Sequence, residues 1–265
     1  MLSTQSAPPK GERRPPLGPS SQSGHNHSMV AARPGMRPKV TRRTLLAAYQ
    51  RLRRVHGHGG WWPGATSFEV CLGAILTQNT AWANVEKALA ELRRHGLLSF
   101  ERLAALSAEQ IAPLIRSAGY FNVKARRLKA FLDFLGREYG GQAEAMRGEE
   151  PDQLRRELLA VHGIGRETAD AIALYAVGQP LFVVDAYTRR IAARLGWIRG
   201  NEDYDDIQSW FMARLPRDVA LFNDYHAQIV LLGNRVCRPR PRCPACPLRS
   251  ICPRRGVRAN GRARG

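Results

Sequence analysis

Cys237-x5-Cys243-x2-Cys246-x5-Cys252 puts four of the chain's five cysteines within 16 residues. Thiolates this close in sequence converge on one centre at little loop-closure cost, the ligand set of a zinc ion or an iron–sulfur cluster. The fifth, Cys71, stands alone in an apolar stretch. One thiol cluster in an otherwise thiol-poor chain does not read as a secreted disulfide framework, and it fits a reducing cytoplasm. A second group is Val161-His162-Gly163-Ile164-Gly165-Arg166-Glu167-Thr168-Ala169-Asp170. Two glycines two apart permit a tight turn whose backbone N–H groups, at a helix N-terminus, can grip a phosphate. The third is Phe182-Val183-Val184-Asp185-Ala186-Tyr187-Thr188-Arg189-Arg190. Asp185 ends an apolar run and is partly shielded there, either as a simple helix cap or as a catalytic carboxylate.

Lysine and arginine number 41 against 22 acidic residues, a net charge of +19. That excess points to a polyanionic partner, nucleic acid first and an anionic membrane surface second. Arginine far outnumbers lysine, so a compositional bias of the source contributes to it. No run of about 18 apolar residues exists, so no spanning helix is expected, and the N-terminus lacks an apolar signal-peptide core.

Residues 1–38, rich in Pro, Ser, Gly and Arg, are expected to be disordered, as is the basic tail 254–265. Between them the pattern is helical. Phe68, Cys71, Leu72, Ile75 and Leu76 recur at three- and four-residue spacing, as do Leu128, Phe131, Leu132 and Leu135. Pro151 opens a helix carrying Leu154 and Leu158. Ala169, Ile172, Ala173 and Ala176 mark the next, stopped by Gly178 and Pro180. The fold class expected is all-α, roughly ten helices with short loops and no sheet. The Gly163–Gly165 turn lies between two of them, as in a helix–hairpin–helix, a motif that holds DNA backbone without reading sequence.

A hairpin, then Val183-Val184-Asp185, then a four-cysteine run resembles the helix–hairpin–helix DNA glycosylase superfamily, in its endonuclease III-like branch. The resemblance covers about residues 40–253 and includes Leu76-Thr77-Gln78-Asn79-Thr80 and Gly119-Tyr120-Phe121-Asn122-Val123-Lys124-Ala125. Trp61-Trp62-Pro63 and the Leu76–Thr80 form are similar to the 3-methyladenine DNA glycosylase III subgroup. It implies a glycosylase domain at 39–253 made of two helical lobes with a DNA-binding cleft between them. One is a helical barrel at about 66–182 with the hairpin at 161–170. The other joins about 39–65 to 183–253 and carries the cluster loop at 237–252.

The resemblance also implies a [4Fe–4S] cluster on Cys237, Cys243, Cys246 and Cys252, although the usual first spacing is one residue longer. The partner implied is double-stranded DNA with a damaged base, bound by a monomer with no membrane involved. The damaged nucleotide would be flipped from the duplex. Gln78 would fill the gap and Tyr120 would wedge from the opposite side. Asn79, Lys124, Gly163, Gly165, Arg166, Thr168 and Arg189 are further DNA-contact candidates. Trp61 and Trp62 either stack on the flipped purine or pack one lobe on the other.

Departures from the family pattern set the chemistry expected. Bifunctional relatives carry a lysine directly after the hairpin, which attacks the sugar and leads to strand cleavage. This chain has Glu167 there, exposed by its place in the motif, and a glutamate forms no imine. A monofunctional glycosylase with Asp185 stabilising the sugar cation is therefore expected. The residue matching the glutamate of adenine-mismatch relatives is Ala74, which argues against mismatched adenine and leaves a cationic alkylated purine. Asn234 fills the place of a lysine that some subgroup members carry, and His226 reads as a core or supporting residue. The alternatives are an oxidised-pyrimidine glycosylase and a DNA-binding module with little catalysis.

Overall fold

The apolar spacings above become helices in the computed structural model, which describes residues 40–59 and 64–257. Among the described residues there is no strand, and the α-helices are α1 (Arg42–His56), α2 (Ser67–Leu76), α3 (Trp82–Arg94), α4 (Phe100–Ala104), α5 (Ala108–Leu114), α6 (Phe121–Tyr139), α7 (Pro151–Ala160), α8 (Arg166–Ala171), α9 (Ala186–Arg194), α10 (Tyr204–Met212) and α11 (Val219–Arg235). The all-α expectation holds. α8 runs straight into a π-turn, Ile172–Ala176. The Trp61–Trp62 pair and the tail at 1–38 lie outside the described residues. The chain expected to become a tail at Arg254 instead continues in a turn to Val257, where the Arg255 N–H donates to the Arg194 carbonyl at 3.1 Å.

Helices α2 to α8 pack largely on one another, α1 and α9 pack on α11, and the π-turn touches α2, α7 and α11. One apolar core runs through both sets. α2 is buried on every side, so its ten residues carry no polar face. It is held at its N-terminal end: Thr66 caps Glu69 N–H, and the buried Glu69 carboxylate pairs with Arg93. α6 buries Leu128, Phe131, Leu132 and Leu135, the expected stripe, together with Ala125. α1 lies on α11 through Tyr225, whose hydroxyl donates to the Leu45 carbonyl at 2.9 Å. Asp224, 2 % exposed, ties the same pair by accepting from Tyr49 Oη at 2.6 Å and Gly59 N–H at 2.8 Å.

The apolar run before Asp185 is extended chain through the core, not a strand. Leu181, Phe182, Val183 and Val184 are all buried, and Phe182 stacks on Phe211 at 4.4 Å between ring centroids. Buried backbone without a strand partner must find side-chain partners. Gln208 Nε2 donates to the Phe182 carbonyl at 2.8 Å, and the Val184 N–H donates to Tyr204 Oη at 3.2 Å. Gln208 also reaches Asp170 Oδ2 at 2.7 Å, and the fully buried Asp170 is paired with Arg155 Nε at 2.7 Å. This network fixes where Asp185 emerges.

Candidate active site

Asp185 caps α9: its Oδ1 accepts from the Thr188 N–H at 2.6 Å. Both sequence readings of this residue therefore meet, because the cap leaves Oδ2 free to face elsewhere. Oδ2 lies 3.5 Å from Nε2 of His226, which is 5 % exposed on α11. The other imidazole nitrogen, Nδ1, is 2.5 Å from the hydroxyl of Tyr175 on the π-turn. Burial raises the Asp185 carboxyl, but His226 and the Thr188 N–H outweigh it and hold the group below the ordinary carboxylate range. Asp185 is thus a carboxylate whose charge is shielded from water.

Glu167 stands in the first turn of α8. It is exposed, as its motif position suggested, while protein atoms crowd around its carboxyl. Burial and then the Asp185 charge push its carboxyl up to about 7, against the opposing pull of His226. The two carboxyl groups are set apart in proton affinity: Asp185 ionised, Glu167 titrating near neutrality.

Gln78 is drawn to the hairpin. Its Nε2 donates to the Gly163 carbonyl at 3.0 Å and to Thr168 Oγ1 at 2.9 Å, and Arg127 Nη1 donates to its Oε1 at 2.5 Å. Gly163 has φ +82°, and a Cβ there would meet Arg127 Cγ at 2.2 Å, so both the turn and the arginine require glycine. Thr168 is buried, which makes it a support for Gln78 instead of the surface DNA contact expected. Arg166 is half exposed and pairs with Asp205 at 3.0 Å.

Lys124 overturns its sequence reading as a phosphate binder. It is 1 % exposed, and its Nζ donates to the carbonyls of Leu76 and Ala118, each at 2.7 Å. It joins the end of α2 to the turn before Tyr120, and burial, then Arg127, brings its ammonium down to about 8. Arg189 is likewise engaged, by the Gly200 carbonyl at 3.3 Å and by that of Glu202. Tyr120 is no core residue. It is 74 % exposed at φ +48°, and Asn79 is exposed at φ +54°. Two non-glycine residues in left-handed backbone on exposed loops mark strain of the kind that collects at binding sites. Asn234, some two helical turns beyond His226, is exposed and accepts from Tyr187 Oη at 2.5 Å.

Cys237, Cys243, Cys246 and Cys252 line one small pocket with Arg194 and Arg249. Arg194 Nη1 donates to Cys237 Sγ at 3.3 Å, and the Arg254 N–H donates to Cys252 Sγ at 3.4 Å. Burial and the neighbouring thiols raise Cys246 and Cys252.

Tyr175 is the residue that sequence reasoning missed. The one signal available was a hydroxyl-bearing ring among Ile172, Ala173, Leu174 and Ala176, but a π-turn shifts register in a way that helical periodicity hides.

Residues 72–217 match the HhH-GPD superfamily base excision DNA repair protein family. A protein of Methanocaldococcus jannaschii, provisionally named a DNA repair glycosylase, is 42 % identical over 209 residues, spanning 78 % of this chain and 95 % of its own. Endonuclease III of Thermotoga maritima is 31 % identical over 189 residues, 70 % of this chain and 82 % of that one. Among solved structures, endonuclease III in a non-covalent DNA complex aligns with a TM-score of 0.70 at 24 % identity, over 81 % of this chain and 96 % of that one. The H. pylori 3-methyladenine DNA glycosylase bound to 1,N6-ethenoadenine aligns with a TM-score of 0.66 at 28 % identity, over 74 % and 98 %. The chain belongs to the HhH-GPD superfamily of base excision DNA repair glycosylases. Within it, the chain sits in the endonuclease III-like branch.

Proposed function

We propose that this chain is a monofunctional DNA glycosylase that hydrolyses the N-glycosidic bond of a flipped, damaged base and leaves an abasic site. The observation that carries this reading is Glu167 in the first turn of α8, with the Asp185 charge acting on its carboxyl. The position that holds the lyase lysine in bifunctional relatives carries a carboxyl here, which forms no imine. Breaking the C–N bond builds positive charge on the sugar, and a shielded carboxylate at Asp185 stabilises it. Water then attacks, oriented by the same carboxylate. An N3- or N7-alkylated purine leaves as a neutral base without needing a protein acid, which fits Ala74 buried in α2 where mismatch relatives place a glutamate.

DNA would be held at the hairpin around Gly163 and Gly165 with Arg166, while Asn79, Gln78 and the exposed Tyr120 approach the base pair from their loops. Gln78 would first have to leave its hairpin partners. The four cysteines fit a [4Fe–4S] cluster. They line one pocket, Cys237 and Cys252 receive N–H donors, and the mutual repulsion of the four is relieved by a cationic centre. No three Cys, His, Asp or Glu side chains among the described residues converge tightly enough for a single ion. When bound, such a cluster with all four thiolates engaged organises the loop and leaves no open coordination position. A panel of duplexes carrying 3-methyladenine, 7-methylguanine and oxidised pyrimidines tests the reading. Release confined to alkylated purines supports it, release confined to oxidised pyrimidines favours the endonuclease III-like alternative, and no release from any leaves a binding module.

A further inference from the structure

We infer that Tyr175 and His226 are positioning residues for Asp185, with Tyr175 locking the imidazole in the tautomer whose Nε2–H faces the carboxylate. The inference rests on the reading of Asp185 as the carboxylate that faces the sugar.

Three geometric facts converge. Asp185 Oδ1 is fixed by the Thr188 N–H, so the orientation of the carboxylate is decided by what Oδ2 meets. What it meets is His226 Nε2 at 3.5 Å, a buried nitrogen that makes no hydrogen bond in this structure and has the carboxylate as its charged neighbour. Imidazole Nδ1 is 2.5 Å from Tyr175 Oη. A neutral imidazole presents either a donor or a lone pair at each nitrogen, and the bond at one fixes the other. Burial and the charges of Asp185 and Glu167 keep the Tyr175 phenol protonated, and in this arrangement its hydroxyl donates and Nδ1 accepts. The proton then stands on Nε2. With the opposite tautomer a lone pair would face Oδ2 and turn the carboxylate away.

The choice of partner has a chemical consequence. A lysine or arginine at His226 would orient Asp185 but cancel the negative charge that a sugar cation needs. An imidazole N–H in its uncharged form would orient without cancelling. The π-turn supplies the reach: its extra residue per turn breaks the helical register, and it is the element that contacts both α2 and α11.

The test separates orientation from folding. In ¹⁵N-histidine-labelled protein, long-range ¹⁵N–¹H spectra, with His226→Gln for assignment, read the tautomer without any substrate. The expected result is Nε2–H in the wild type and a mixture in Tyr175→Phe. On the best substrate, Tyr175→Phe is expected to slow single-turnover excision about tenfold or more, the scale seen when metal-bound histidines lose their outer hydrogen-bond partner, with Tm and DNA affinity unchanged. His226→Gln, whose amide can donate from the Nε2 place, should stay within about tenfold of wild type, and His226→Asn, which cannot, should lose more. A wild-type Nδ1–H tautomer, full activity in Tyr175→Phe, or equal losses in Gln and Asn would overturn the inference. If no lesion is processed at all, the spectra still decide the tautomer, so that failure belongs to the proposed function alone.

Discussion

Asp185 and Arg194 are the two ends of one helix. Asp185 caps the start of α9, and Arg194, its last residue, donates to the carbonyls of Arg238 at 2.6 Å and Pro239 at 2.9 Å as well as to Cys237 Sγ. Arg190 on the same helix donates to the Cys237 carbonyl at 2.8 Å. A nine-residue rod thus connects the candidate catalytic carboxylate to the cysteine loop. The close approach of α9 to α11 is made possible by Gly233, where a Cβ would meet Tyr187 Cδ1 at 2.3 Å.

The cysteine loop should therefore matter for stability more than for chemistry. Purified protein is expected to be brown with about four iron atoms per chain. Cys237→Ser should lose iron and lower Tm, and Arg194→Ala should lower iron retention while leaving the four thiols in place. Iron analysis and thermal melts check this, and colourless protein with one zinc would contradict it.

Asp185→Asn keeps an oxygen that can cap α9, so folding and DNA affinity should survive. The charge does not survive. Base release is expected to fall about a thousandfold, the scale of losing a preorganised electrostatic contact. Single-turnover excision measured beside binding isotherms decides the matter: parallel loss of both would make Asp185 structural.

Glu167 carries a pH signature. Its folded value of about 7 lies above the ordinary 4.5, so the native state holds a proton that the unfolded chain has released across that window. Wild-type stability from this group is full below about 4.5 and is lost as pH rises to about 7. Glu167→Gln should then be more stable than wild type at pH 8, with the advantage gone at pH 4, as read by urea midpoints. An advantage that does not change with pH would remove the strained carboxyl from the account.

Lys124 separates a structural cation from a phosphate contact. Lys124→Met leaves two buried carbonyls without their donor and should cost about 1–3 kcal/mol of stability. The slope of log K against log salt for DNA binding should stay at its wild-type value, whereas loss of a true phosphate contact lowers it by about one. Titrations at several salt concentrations distinguish the two.

Much of the fold was legible because apolar spacing survives packing: α2, α6 and α7 carry the residues that their periodicity predicted. Asp185 was legible because a polar residue ending a run such as Phe182-Val183-Val184 has few reasons to be there. Lys124 and Thr168 were misread because sequence gives residue type but not side-chain direction, and both turn inward to backbone or to Gln78. The Arg155–Asp170–Gln208 network was invisible, since its members are separated by 15 and 38 residues and meet only in the folded chain.

The most direct test is strand integrity after base release. Duplex DNA carrying 3-methyladenine or 7-methylguanine is incubated with the protein, with and without hot alkali, and in parallel with borohydride. Release of free base, an intact strand until alkali is added, and no trapped covalent complex are expected of a site with Glu167 where a lysine would attack. Nicking before alkali, or a borohydride-trapped adduct, would contradict the monofunctional mechanism.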